Sequence, residues 1–339
     1  MPESPRSSDS ESTGGTPLRP CGRSCRCARS SHATSDLDTL LATPGFSGSL
    51  LGADVPAVAR RLPLLEQVVG VTVAGPVLMN AVGMHETPVG SGGAIRCRPS
   101  RITLRINPAR LGSALITDPA AHIPPTLRLF DTDGNTAHAT YLTERSDRLA
   151  FESLALGIGS GDDEGSASDT GALTVADAAR DDIGDDGVPA IDQVAQFDAI
   201  LDDGGVGRLM TFPGLRHAGH TRVESRRVIA ALEHAALLGM PATLVTTAPG
   251  CLQMHHDQLD GAREHRGSMV IAGGTCRAMI NFDLVSECWV TWSDGVWGRT
   301  GSIELYDRHG RCSLVVTQTG PVPMTSFEAW NQLVTDLAD

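Results

Sequence analysis

The chain has 339 residues and a formal net charge of −13, with 40 acidic residues against 27 basic ones. Every basic residue is arginine, and the acid excess argues against the broad basic face that a nucleic-acid partner requires. No apolar run approaches the ~18 residues of a membrane span, so none is expected.

Residues 1–35, rich in Ser, Pro, Gly and Arg, read as a disordered tail without the apolar stretch of a secretion signal, so a cytoplasmic location is expected. Cys21, Cys25 and Cys27 lie close together there but lack a His or further Cys at zinc-site spacing. A first unit is expected over 36–155. It opens with a helix from Val55 to Val68 and a strand at Val71–Val73. His85-Glu86 reads as a lone pair in a loop, and Gly90-Ser91-Gly92-Gly93 as a hairpin connection. An amphipathic helix is expected from Ser146 to Leu154. Residues 156–188, with Asp162, Asp163, Glu164, Asp181, Asp182, Asp185 and Asp186, read as a solvated acidic linker. A second unit follows over 189–339. It has a helix from Val223 to Leu238, a strand at Ala242–Val245, and another ending near His255 and His256. A closing helix from Ser326 to Leu337 is expected to be capped by Thr325 or Ser326.

One pattern governs both units. Leu127-Arg128-Leu129-Phe130-Asp131-Thr132-Asp133-Gly134 recurs as Ile303-Glu304-Leu305-Tyr306-Asp307-Arg308-His309-Gly310, and Phe151-Glu152 recurs as Phe327-Glu328 at the same offset of 176 residues. Arg105-Ile106-Asn107 matches Met279-Ile280-Asn281 two residues short of that offset. Alternating apolar residues before Asp-x-x-Gly make a half-buried strand and a hairpin turn. The expected fold is therefore α+β, a tandem structural repeat. Each half is an antiparallel sheet with flanking helices, and a ligand cleft lies between them. No glycine-rich phosphate loop follows a strand.

Within this repeat, Pro249-Gly250-Cys251-Leu252-Gln253-Met254-His255 resembles the G-C-I-Q-I-H segment of the HemS-type haemin-degrading proteins. Cys288-Trp289-Val290 with Ser302-Ile303-Glu304-Leu305-Tyr306-Asp307 is similar to that family's A-W-V and S-L-E-L-F-D. Leu127 to Leu142 with Thr143-Glu144-Arg145-Ser146-Asp147 is similar to its F-F-D-x-x-G and Y-L-T-E-x-S-D. The resemblance implies haem as ligand or substrate, held between the halves. It also implies a cytoplasmic place in haem and iron utilisation, and an importer or acceptor of haem as partner. It implies a distal arginine at Arg105, with catalytic and haem-binding roles, and a propionate-binding arginine at Arg208. Gln318 is the residue retained from a late haem-facing strand. The family's axial histidine position, in D-V-H-Q-F, holds Ala195 in Gln193-Val194-Ala195-Gln196-Phe197, and Ala cannot ligate iron.

The residues themselves leave alternatives. Ile102, Leu104 and Ile106 facing inward would turn Arg105 outward, and Arg208 reads equally as a surface arginine. His217 and His220 are the nearest substitute iron ligands, although a polar turn explains them as well. Met279, a thioether at the repeat position of Arg105, reads as packing. Two functions follow: haem binding, with trafficking favoured over a haem-oxygenase-like degradation, or a diverged non-catalytic paralogue that takes another small molecule or a partner protein. An apolar slot flanked by Arg105 and Arg208 favours the first, a filled interface the second. A metal or thiol sensor using Cys21, Cys25 and Cys27 is a third.

Overall fold

The computed structural model describes residues 34–51, 54–119, 123–156 and 192–339. The cysteine-bearing tail, but for Thr34 and Ser35, and the acidic linker, but for Leu156, lie outside them.

The first half runs α1 (Asp36–Leu41), β1 (Gly48–Leu51), α2 (Val55–Arg60), β2 (Glu66–Ala74), β3 (Val77–His85), β4 (Arg101–Ile106), β5 (Leu111–Thr117), β6 (Thr126–Asp131), β7 (Thr136–Ser146) and α3 (Arg148–Leu156). The second runs α4 (Gln193–Asp203), α5 (Val206–Thr211), β8 (Thr221–Val223), α6 (Ser225–Leu237), β9 (Pro241–Ala248), β10 (Cys251–His265), β11 (Ser268–Gly273), β12 (Cys276–Ile280), β13 (Val285–Gly295), β14 (Gly298–Asp307), β15 (Cys312–Thr317) and α7 (Met324–Ala338).

The α+β tandem architecture is as expected, and the repeat is structural down to its turns. Asp131 Oδ1 accepts from the N–H groups of Asp133 and Asn135, and Asp307 Oδ1 from those of His309 and Arg311. Asn107 and Asn281 each accept from the N–H two residues on. Several boundaries differ from the sequence reading. The helix expected over Val55–Val68 stops at Arg60, because Pro63 cannot continue it, and a 3-10 turn at Leu62–Leu65 leads into β2. Helix α7 begins at Met324 behind Pro323, with no side-chain cap from Thr325 or Ser326. His85 is the last residue of β3 rather than a loop residue, and β10 runs on past His255 and His256 to His265.

The strands among the described residues form one 15-stranded sheet system in the order β1-β5-β6-β7-β2-β3-β12-β11-β10-β9-β15-β14-β13-β8, with β4 beside β10 and β3. The halves are joined by a reciprocal exchange. Strand β12 of the second half pairs with β3 of the first, Ile280 opposite Val77. Strand β4 of the first half pairs with β10 of the second, Ile106 opposite Cys251. These registers map onto each other under the repeat. One apolar cluster accordingly runs through both halves, from Val55 and Val58 to Val334 and Leu337. Gly301 lets α7 approach this core, since a Cβ there would lie 2.7 Å from the Val334 side chain. Trp330 then donates from Nε1 to the Gly301 carbonyl at 2.9 Å.

The buried members of a second cluster all come from the second half. Phe197, Ile200 and Leu201 of α4, with Phe212, pack on the other face of β9, β10, β14 and β15 through Val245, Leu252, Met254, Tyr306 and Val315. Among the described residues, the short α1 is the helix of the first half on the corresponding face. No helix among the described residues is long and apolar enough to cross a membrane.

Candidate functional site

Helix α4 carries the Ala195 position. Asp192 caps it, accepting from the Ala195 N–H at 2.7 Å, and Gly204 ends it in the left-handed region at φ 75°. Gly205, also left-handed at φ 78°, turns the chain into α5 and brings Arg208 back over the sheet. With 3.6 residues per turn, Ala195, Asp198 and Asp202 share a face. That face meets β4: Arg105 Nε donates to Asp198 Oδ1 at 2.6 Å, and Asn107 Nδ2 donates to Asp202 at 2.9 Å. Ala195 lies one turn earlier and is exposed.

Arg105 is buried, 1% exposed, which corrects the outward orientation that strand alternation allowed. Strand β4 is covered on both faces, so alternation carries no information there. The Gly90–Gly93 segment is not a hairpin connection. It lies between β4 and α4: the Gly93 carbonyl accepts from Arg105 Nη1 at 2.7 Å, and the Gly92 N–H donates to Asp198 at 2.7 Å. Ile95 and Cys97 continue this segment against the cluster under α4. The slot between Arg105 and α4 is therefore filled by the chain itself.

Arg208 is also buried and bonded, which corrects the surface alternative. Its Nη2 donates to Glu304 Oε1 at 2.7 Å and its Nε lies 3.1 Å from the same oxygen, while the guanidinium stacks 5.1 Å from the Phe212 ring. Glu304 is fully buried and accepts further bonds from Gln196 Nε2 at 2.8 Å, Thr291 Oγ1 at 2.6 Å and Tyr306 OH at 2.6 Å. Burial works against a carboxylate here, but Arg208 and these donors outweigh it and hold Glu304 below its ordinary range. Burial also opposes the charge on Arg208, and Glu304 reverses that and raises it. The sequence reading did not single out Asp198 or Glu304. Each partners an arginine about a hundred residues away, and nothing local marks either.

The remaining candidates scatter. Gln318 donates to the Pro241 carbonyl at 2.8 Å and fastens a strand end. His217 is exposed, whereas His220 is buried with its ring centroid 5.4 Å from that of Phe212, so they do not present two imidazoles to one slot. Burial, with Arg208 nearby, pulls His220 down to about 4. Met279 pairs with Leu78 in the β12–β3 ladder, and His255 Nε2 donates to the Gly273 carbonyl at 3.1 Å. No group of three or more His, Cys, Asp or Glu with metal-site geometry occurs among the described residues.

Taken together, the slot does not fit a ligated haem iron. The position that the family resemblance would give to an axial ligand holds Ala195, and both arginines are neutralised internally.

A buried histidine pair lies on the core face of the first half. His85 Nε2 is 3.0 Å from Thr140 Oγ1, His138 Nδ1 is 2.9 Å from Thr72 Oγ1, and the ring centroids are 5.3 Å apart. Burial draws His138 down to about 3 and His85 well below its ordinary value. A histidine depressed on folding binds its proton more readily in the unfolded chain. Its contribution is therefore complete above about pH 6.5 and is lost as pH falls toward about 3. Urea midpoints should drop between pH 7 and 5, and His138→Leu, the residue at Leu314 in the other copy, should flatten that slope by up to about 1.4 kcal/mol per pH unit. An unchanged slope would mean that His138 is protonated in the native state.

A cavity of about 590 Å³ is present elsewhere, where the open sheet face of the first half meets turns of the second. It is lined by Val71, Val73, Arg128, Ala139 and Tyr141, with Leu40 of α1 and Arg311 of the second half among the other walls. A cleft between the halves exists, as expected, but Arg105 and Arg208 do not line it.

The chain shares this fold with solved structures over most of its length. It matches ChuS, described as an E. coli heme oxygenase, at 17% identity over 86% of this chain and 89% of that one, TM-score 0.67. It matches apo-PhuS, a heme-binding protein from Pseudomonas aeruginosa, at 18% identity over 86% and 87%, TM-score 0.62. Residues 206–337 match the model of the haemin-degrading HemS.ChuX domain. A comparison with curated protein sequences gives no match.

Proposed function

We propose that the chain is a cytoplasmic haem-binding protein of haem and iron utilisation that holds and passes on haem rather than degrading it. Ala195 carries this reading. On the α4 face turned toward Arg105, the chain has a methyl group where oxygen activation at haem iron draws on an axial ligand. The HemS.ChuX match supports haem as the cargo. Binding then rests on apolar contact, and on separation of Arg105 from Asp198 as the Gly90–Cys97 segment gives way. A haem importer and a haem acceptor are the partners this role implies.

Haemin titration of the purified chain, followed by optical spectroscopy, tests it. A saturable Soret change at one equivalent is expected, with no bleaching when ascorbate is added. Asp198→Asn, which loosens the clamp on Arg105, should tighten binding severalfold. A titration indistinguishable from free haemin would sink the reading, and ascorbate-driven bleaching would sink its non-degrading part.

The ion pairs favour a second reading. With Arg105 on Asp198 and Arg208 on Glu304, the slot is closed. A paralogue that binds another small molecule or a protein would keep it so, and Asp198→Asn would then leave haemin binding absent.

A further inference from the structure

The cavity in the first half stands on a comparison that the duplication supplies. Arg128 on β6 occupies the repeat position of Glu304 on β14, Val71 that of Val245, and Ala139 that of Val315. In the second half this face is complete. Helix α4 and the segment after it cover the apolar residues, and Glu304 has its counter-charge in Arg208. In the first half the same face carries only the cation. Arg128 makes no ion pair among the described residues. Its Nη2 reaches the Tyr141 hydroxyl at 3.4 Å, and its buried Nε has no hydrogen-bond partner. The guanidinium carbon stands 5.9 Å from the Tyr141 ring centroid.

A buried donor without an acceptor is costly, and more so when charged, unless something fills the position. The two carboxylates on the cavity wall do not serve. Asp36 Oδ2 accepts the Thr136 N–H at 2.9 Å, and Asp307 Oδ1 is taken by its own hairpin turn. Around Arg128 the walls are apolar: Val71, Val73, Ala139, Leu40 and the Tyr141 ring. A volume of about 590 Å³ lies within the usual range of small-molecule sites, which combine apolar walls with a few placed polar groups; here Arg128 stands among the apolar residues, and Arg311, Asp36 and Asp307 also line the cavity.

We propose that this cavity is a binding site for a flat, apolar carboxylate, with Arg128 receiving the carboxylate through its planar fork and Tyr141 flanking it. The incoming carboxylate stands opposite Arg128 as the Arg208 guanidinium stands opposite Glu304 in the other copy, with the charges reversed. The site is separate from the slot under α4 and goes beyond the haem reading.

Pyrenebutyrate and its neutral analogue pyrenebutanol, followed by fluorescence, test the proposal without any iron. Saturable binding of pyrenebutyrate is expected, at least tenfold tighter than pyrenebutanol. Arg128→Gln should abolish that preference, and Ala139→Trp, which keeps Arg128 but fills the cavity, should abolish binding of both probes. Circular dichroism establishes that each variant is folded. Absence of saturable binding, equal affinity for the two probes, or an unchanged preference in Arg128→Gln would each overturn the proposal. Because neither probe contains iron, the outcome is independent of whether haemin binds.

Discussion

Replacing Ala195 by histidine is expected to convert weak haemin binding into ligated binding, at least tenfold tighter, equivalent to about 1.4 kcal/mol or more. The substitution costs little in fold. Ala195 is exposed, lies near the start of α4, and makes only the backbone bond to the Asp192 cap. Its face of the helix is the one that meets Arg105 and Asn107, so an imidazole there points into the slot rather than into the core beneath Phe197 and Ile200. The optical spectrum should take on the signature of nitrogen ligation, and the gain should vanish in Ala195→Gln, which matches the size but offers a poor iron ligand. If Ala195→His binds no better than the parent chain, the segment from Gly90 to Cys97 does not yield, and the slot is a permanent interior.

Glu304→Gln should destabilise the chain by about 3 kcal/mol, through the charge it strands rather than the bonds it loses. The glutamine retains one acceptor for Thr291, Tyr306 or Gln196, but Arg208, 8% exposed, is left with a full positive charge and no counter-ion among the described residues. Urea unfolding reads the effect as a fall in midpoint at constant slope. The double variant Glu304→Gln with Arg208→Met should recover much of the loss, because removing both charges ends the desolvation penalty. Equal losses in single and double variants would show that the pair is not the source of the effect. Gln196, next to Ala195, is tied to the same carboxylate, so the network also fixes the helix that frames the slot.

Much of the fold was legible because the chain states it twice. The Asp-x-x-Gly hairpins and the strands on either side follow from local chemistry, and each copy checks the other. The exchange of β4 and β12 was not legible, since an apolar strand records that it has a neighbour but not which one. The site was less readable than the fold. Arg105 could be placed by resemblance, but Asp198 is 93 positions away and Glu304 alternates along β14 as a solvent-facing residue would. Arg128 was in plain view. The opposite charges of Arg128 and Glu304 at one repeat position were the available signal that the two copies use that face differently.

The reciprocal pairing of β4 with β10 and of β12 with β3 has the geometry of a two-fold dimer, in which each partner lends the other a strand. Covalent linkage makes that encounter intramolecular, so it no longer depends on concentration. It also releases the partners from identity. In a homodimer every substitution appears twice and must suit both places at once. In a fused pair it appears once, and one copy can keep an arginine with its carboxylate already supplied while the other keeps an arginine with none among the described residues.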